Sequence, residues 1–242
     1  MKVFYITGTS SGLGFAMAEE LLKDEENHVV GMSRTCEIAH PNYVHRKVDL
    51  SDAVATAKVR FGDHFKADKV YLINNAGSLG EIGYHGQLDG TEMADAYQLN
   101  LVAPAVLINN FLNAYSEKDA EKIILNISSG ASVAPYPGWG MYCATKAGLN
   151  MLTEVVKEEA EINGIKEFSI QAIAPGIVES PMQEKIRSTP KDKFDMVDRF
   201  IEMKETGMLQ TPEETAKMLV EHMKTSDFES PFVDLRSLIE SK

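Results

Sequence analysis

Val3-Phe4-Tyr5-Ile6-Thr7-Gly8-Thr9-Ser10-Ser11-Gly12-Leu13-Gly14-Phe15 decides the fold. Val3–Thr7 reads as a short buried strand. From Leu13 to Asn27 the pattern turns helical, with Phe15, Ala18, Leu21 and Leu22 on one face. Between them stand three glycines spaced G-xxx-G-x-G. Only glycine lets a backbone turn sharply and approach a pyrophosphate with no Cβ in the way. The helix start that follows offers unpaired amides and partial positive charge. A tight turn that holds no ligand is the alternative, but the place between strand and helix favours a dinucleotide.

The same alternation runs outward along the chain. Strands are expected at His28–Met32, Val44–Val48, Val70–Asn74, Lys122–Ser128 and Phe168–Ala174. Helices are expected at about Thr91–Tyr115, Tyr142–Glu161 and Thr211–Met223, the last capped by Thr211 before Pro212. Short apolar strands separated by helices imply parallel pairing through crossovers, with both sheet faces covered. The expected fold is α/β: one Rossmann-like, doubly wound parallel sheet spanning 1–242 as a single domain. Ligands in such folds sit beyond the carboxyl ends of the strands. The stretch 179–210 breaks the rhythm. It is rich in charge and methionine, and follows Phe168–Ala174, where a substrate-covering segment belongs.

The 242 residues carry a formal net charge of −12, which repels phosphate backbones and argues against nucleic acid as a partner. Cys36 and Cys143 form no CxxC pair, so no disulfide framework or metal site is implied. The N-terminal apolar run is too short for a signal peptide, and no stretch reaches membrane-spanning length. A cytoplasmic location and no membrane partner are expected.

The second strand ends in Met32-Ser33-Arg34. An acid there would suit the 2′-hydroxyl of NAD, whereas a cation accommodates the 2′-phosphate of NADP. Arg34 therefore favours NADP(H) over NAD(H), with a solvated loop cation as the alternative. Tyr142 and Lys146 stand at i and i+4, on one helix face. A free phenol titrates near 10, and a neighbouring ammonium draws it down toward a proton donor's range. Such a tyrosine can protonate a carbonyl oxygen as hydride arrives. Ser129 closes the strand just upstream, where its hydroxyl can polarise the same oxygen. Ser129 as a helix cap and Lys146 as a surface lysine are the alternatives for each alone.

Together these residues resemble the short-chain dehydrogenase/reductase family. Further landmarks in its order are Asp49-Leu50, Asn74-Asn75-Ala76-Gly77, Asn100, Ile127-Ser128-Ser129 and Pro175-Gly176-Ile177-Val178-Glu179-Ser180. The set spans residues 7 to 180. The resemblance implies that Tyr142 is the acid/base, that Ser129 orients the carbonyl, and that Lys146 binds the nicotinamide ribose. It makes Asn100 the fourth catalytic residue, its backbone holding a water behind Lys146, with Pro104 freeing a carbonyl nearby. It implies cofactor contacts from Ile6, Gly8, Ser10, Ser11, Gly12, Leu13 and Arg34, and from Tyr142 and Lys146 themselves. Asp49 and Leu50 fall at the adenine, Asn75, Ala76 and Gly77 along the ribose, and Pro175, Gly176, Val178 and Ser180 at the carboxamide.

Pro135–Tyr142, Ala174–Arg187 and Asp198-Arg199-Phe200 more closely resemble the sepiapterin-reductase-like branch, above all its bacterial benzil reductases that form (S)-benzoin. This implies an NADPH-dependent carbonyl reductase acting on a ketone or aromatic 1,2-diketone. Tyr136, Trp139, Met141 and Met182 would wall the substrate. Core packing is the alternative for Trp139. A pteridine reductase is the rival; it needs a carboxylate in the pocket, for which Glu179, Glu184 and Asp192 are candidates. Alcohol oxidation and a non-catalytic dinucleotide sensor are further alternatives. Ser230–Asp234 lacks the family's glycine-rich ending, so a homodimer or homotetramer is expected to form through the long helices.

Overall fold

Apolar runs that cannot face water on either side dictate a sheet covered on both faces, and the computed structural model has one. It describes residues 1–62, 66–225 and 228–240, the side chains of 239 and 240 excepted. Its elements begin β1 (Lys2–Thr7), α1 (Gly12–Leu22), β2 (Asn27–Ser33), β3 (Tyr43–Lys47), α2 (Ala53–Ala57) and β4 (Lys69–Asn74). There follow α3 (Gly90–Tyr97), α4 (Ala103–Tyr115), β5 (Glu121–Ile127), α5 (Gly140–Ile162) and β6 (Phe168–Ala174). The chain continues with α6 (Pro181–Arg187), α7 (Val197–Glu205), α8 (Pro212–Thr225), β7 (Phe232–Asp234) and α9 (Leu235–Glu240).

The strands are all parallel, in the order β3-β2-β1-β4-β5-β6-β7. Alternate side chains supply two cores. Phe4, Ile6, Tyr71, Ile73 and Leu125 pack with Met17, Leu21, Leu219 and Val220 of α1 and α8. Val3, Tyr5, Leu72 and Ile124 pack with Leu107, Phe111, Tyr115 and Val156 of α4 and α5. The expected doubly wound sheet is therefore present.

Element limits differ from the periodic reading in two places, each for a physical reason. The first helix ends at Leu22 rather than Asn27. Asn27 is fully buried at the start of β2, and its amide donates to the Leu21 carbonyl at 2.8 Å. The single helix expected at 91–115 is interrupted by a π segment, Gln98–Val102. Pro104 has no N–H for the carbonyl four residues back, and such wider turns appear where the α ladder is broken.

Thr211 caps α8 as expected. Its hydroxyl accepts the Glu214 amide at 3.2 Å, and Glu214 returns a bond to the Thr211 amide at 3.0 Å. This reciprocal pair satisfies two orphan donors. Thr211→Ala is expected to cost about 1 kcal/mol and lower the melting temperature by about 2–4 °C, read by thermal denaturation. An unchanged midpoint would remove the cap's contribution.

Stretch 179–210 leaves the sheet and returns to it. Val178 and Gln210 form a parallel bridge at its neck. The Gln210 amide donates to Ile177 and the Glu179 amide to Gln210, both at 2.9 Å. Inside lie α6 and α7; their Ile186, Val197 and Phe200, with Phe194 from the segment between, form a third apolar cluster with Trp139 and Tyr142. Lys185 crosses to the Gly80 carbonyl at 2.7 Å.

Candidate active site

Strand order reverses between β1 and β4, so the turns leaving these strands diverge and open a crevice. A cleft of about 750 Å³ lies there, beyond the carboxyl ends of the strands. Thr7 joins its two sides. Its hydroxyl accepts the amides of Asn75 and Ala76, each at 2.9 Å, and the Asn75 side chain donates to the Thr7 carbonyl at 3.0 Å. Gly8 and Gly12 take φ of +75° and +58°, which an L side chain resists. A Cβ on Gly14 would stand 2.3 Å from the Gly8 carbonyl oxygen. The floor thus holds Gly8, Ser10, Ser11, Gly12 and Leu13 on one side and Asn75, Ala76 and Gly77 on the other. Its bare backbone fits an elongated ligand carrying a pyrophosphate.

Arg34, Asp49 and Leu50 line the cleft at the β2 end. Asp49 accepts the hydroxyl and amide of Ser51 at 2.7 and 3.0 Å. Those bonds hold its carboxyl below the usual range, and the Arg34 charge adds to the effect. Pro175, Gly176, Val178 and Ser180, after β6, line the opposite flank. Ser180 caps α6, its hydroxyl accepting the Gln183 amide at 3.4 Å.

Tyr142 and Lys146 lie one turn apart on α5, both buried and both on the cleft. Lys146 donates to the Ile127 carbonyl at 2.7 Å, and its Nζ lies 5.7 Å from the Tyr142 ring centroid. Burial lowers the ammonium to about 8. Burial also pushes the Tyr142 phenol up, against a lowering hydrogen bond from Ser129. The ammonium was expected to draw the phenol down; here its bond goes to Ile127 and desolvation prevails. The phenol is accordingly protonated near neutral pH, the form that can donate. Ser129 is a cap, as one reading had it: its hydroxyl accepts the Ala131 amide at 3.1 Å and closes a short 3₁₀ turn, and the residue lines the cleft with Tyr142.

Ser129 is held from behind by Ser128 of its own motif and by Asn150 and Ser132, which the motif reading passed over. Ser128 donates to Asn150 at 2.6 Å, Asn150 to Ser132 at 2.9 Å, and Ser132 to the Ser129 carbonyl at 2.6 Å. Asn150 follows Tyr142 and Lys146 at a further i+4 step, a signal visible in the spacing.

Two expected site residues do not line the cleft. Ile6 is wholly buried in β1, within the first core. Asn100 is wholly buried in the π segment. Its side chain accepts the Ser78 amide at 2.8 Å and donates to the Ser78 carbonyl at 2.7 Å and to Thr145 at 3.3 Å.

Tyr136, Trp139 and Met182 all line the cleft. Trp139 is also core, as its alternative held. It is stacked between Tyr136 and Phe194, with ring centroids at 5.0 and 4.9 Å, and meets Tyr142 edge-on at 6.0 Å. Met141 does not join the wall. It is 1% exposed and packs toward Gly80. Glu179, Glu184 and Asp192 are likewise off the cleft lining. Glu179 is engaged by Arg187 at 2.7 Å and Lys204 at 2.9 Å. No helix among the described residues is long and apolar enough to cross a membrane.

A sequence profile described as short chain dehydrogenase matches residues 2–191. A Bacillus cereus protein named benzil reductase ((S)-benzoin forming) is 37% identical, over 94% of this chain and 96% of that one. Sepiapterin reductase of Bos taurus is 32% identical, over 67% of this chain and 60% of its own length. The crystal structure of a short chain dehydrogenase/reductase from Saccharomyces cerevisiae superposes with a TM-score of 0.82 at 21% identity, covering 97% of this chain and 96% of that one.

Proposed function

The chain belongs to the short chain dehydrogenase family, and from that premise we propose that it is an NADPH-dependent carbonyl reductase for aromatic 1,2-diketones. An oxidoreductase acting between carbonyl and hydroxyl follows from the family itself. The observation that carries the carbonyl-reductase reading is the buried Tyr142 phenol on the cleft, with Ser129 on the same lining and Lys146 one helical turn away.

NADPH, when held along the cleft, would supply the hydride for the carbonyl carbon. Ser129 and Tyr142 hold the carbonyl oxygen between two hydroxyls, where its developing charge is stabilised. The Tyr142 phenol, neutral beforehand, gives that oxygen its proton. Lys146 holds the cofactor's ribose, and its positive charge stabilises the phenolate left behind. Asn100, clamped between Ser78 and Thr145, fixes the loop after β4 and positions a relay that returns the proton. Stretch 179–210 covers the substrate and excludes water.

The aromatic and methionine wall supports a flat apolar substrate. The pteridine alternative calls for a carboxylate in the pocket: Glu179, Glu184 and Asp192 do not line the cleft, whereas Glu92 and Asp95 of α3 do, so the substrate assay must decide between the two. Arg34 supports NADPH over NADH and, through the cell's supply of NADPH, reduction over alcohol oxidation. The Tyr142, Lys146 and Ser129 set weighs against a mere dinucleotide sensor.

The test is loss of reduced-nicotinamide absorbance with benzil, using NADPH and NADH in turn. NADPH is expected to be consumed with (S)-benzoin as product. A charge-assisted bond to phosphate is worth about 1.5–3 kcal/mol, so Arg34→Ala should raise KM for NADPH about 10–100-fold and leave NADH unchanged. Turnover of a pteridine but not benzil would overturn the substrate. Equal use of both cofactors, indifferent to Arg34→Ala, would overturn the preference.

A further inference from the structure

Four cations line the cleft among the described residues: Arg34, Lys146, Arg199 and Arg236. Arg34 stands by Asp49 at one end, and Lys146 beside Tyr142. Arg199 belongs to α7, whose neighbouring Phe200 packs on Trp139. Arg236 comes from the far end of the chain, outside every landmark of the sequence. In a protein of net charge −12, a placed cation would add to the amides and helix-end partial charge that the glycine turn offers a pyrophosphate. The glycine turn offers amides and the hydroxyls of Ser10 and Ser11, none of them charged.

The sheet register brings Arg236 to that place. β7 pairs with β6 so that Asp234 stands opposite Ala174, and the turn into α9 lies beside Pro175-Gly176. The Arg236 stem runs over Gly176: its Cγ and Cδ lie 3.6 and 3.7 Å from where a Cβ on that glycine would be. Gly176 itself has a φ of +87°, a second reason for glycine there. Asp234 fixes the guanidinium plane, accepting from Nε at 3.0 Å and Nη2 at 2.5 Å. The same flank reaches the glycine turn, since the Ser180 Cβ is 3.9 Å from a Cβ position on Gly12.

We infer that Arg236 is a cofactor-binding cation, oriented by Asp234 and directed to the dinucleotide's pyrophosphate. It makes the chain's end part of the cofactor site. The inference rests on reading the cleft as a dinucleotide site.

Calorimetric titration with NADPH, and with adenosine 2′-monophosphate, which lacks the pyrophosphate, tests it. Arg236→Gln is expected to weaken NADPH about tenfold and to leave the monophosphate within about twofold. Asp234→Asn keeps the cation and removes a nearby negative charge, so NADPH should bind as well as to wild type or more tightly. NADPH binding unchanged in Arg236→Gln would overturn the inference. So would equal weakening of both ligands, or a loss in Asp234→Asn as large as in Arg236→Gln, because each would make Arg236 a tether of the C-terminal turn. Wild-type protein that binds neither NADPH nor NADH would overturn the underlying reading instead, with no variant involved.

Discussion

Tyr142→Phe is expected to lower kcat for benzil reduction about 10²–10⁴-fold, the usual worth of a positioned general acid, and to leave NADPH affinity nearly unchanged. The phenylalanine keeps the buried slot and the edge-on contact with Trp139, so packing survives. What disappears is the cleft-lining hydroxyl that the proposal makes the proton donor to the carbonyl oxygen. Ser129 remains to polarise the carbonyl, and hydride delivery then leaves an alkoxide with no adjacent acid. Steady-state kinetics beside direct NADPH titration separates the two effects. A loss of kcat below about tenfold would assign the acid to another group. Loss of NADPH binding in step with kcat would show that the phenol serves mainly to hold the cofactor.

Gly14→Ala is the second large effect. The new Cβ would meet the Gly8 carbonyl oxygen at 2.3 Å and the Asn75 side chain at 2.4 Å. The first is backbone and cannot swing away. Relief requires α1 to back off from the turn, and Gly14 is buried where that helix starts. Overpacking of this kind costs about 1–3 kcal/mol, occasionally more, and the upper end is expected here. NADPH affinity should fall as well, because the clash displaces Gly8 and Asn75 from the floor of the cleft. Gly90→Ala is the matched control, since nothing lies within 4 Å of its Cβ position at the start of α3. Urea denaturation of both variants decides it. A Gly14→Ala protein as stable as Gly90→Ala would show that the turn relaxes freely.

Much of this was legible because local chemistry and global fold agree at the same residues. Gly8, Gly12 and Gly14 needed only the steric argument, and the strands needed only apolar runs of the right length. Tyr142 and Lys146 were visible through helical spacing, and Asn150 continued that spacing unnoticed. Three things escaped. Asn27 reads as helix by periodicity but is a buried strand residue, since its role is set by a bond to Leu21. Met141 sits one residue from Tyr142 yet faces Gly80, a direction only the helix's rotation against its neighbours decides. Arg236 lies beyond every motif, and only the register of β7 on β6 carries it to the cleft.

The neck at Val178 and Gln210 carries a consequence for how such a protein can change. Both ends of the 179–210 excursion are fixed side by side by backbone bonds, whatever lies between them. Lengthening a closed loop costs little, about 0.6 kcal/mol for each doubling. The excursion is therefore a cassette: apart from Ser180 and the Phe194 and Phe200 contacts to Trp139, its contents can be rewritten while the glycine turn, Lys146 and the sheet stay as they are. If that stretch covers the substrate as proposed, new substrates can be acquired by change between two fixed ends, with the sheet and the glycine turn inherited intact.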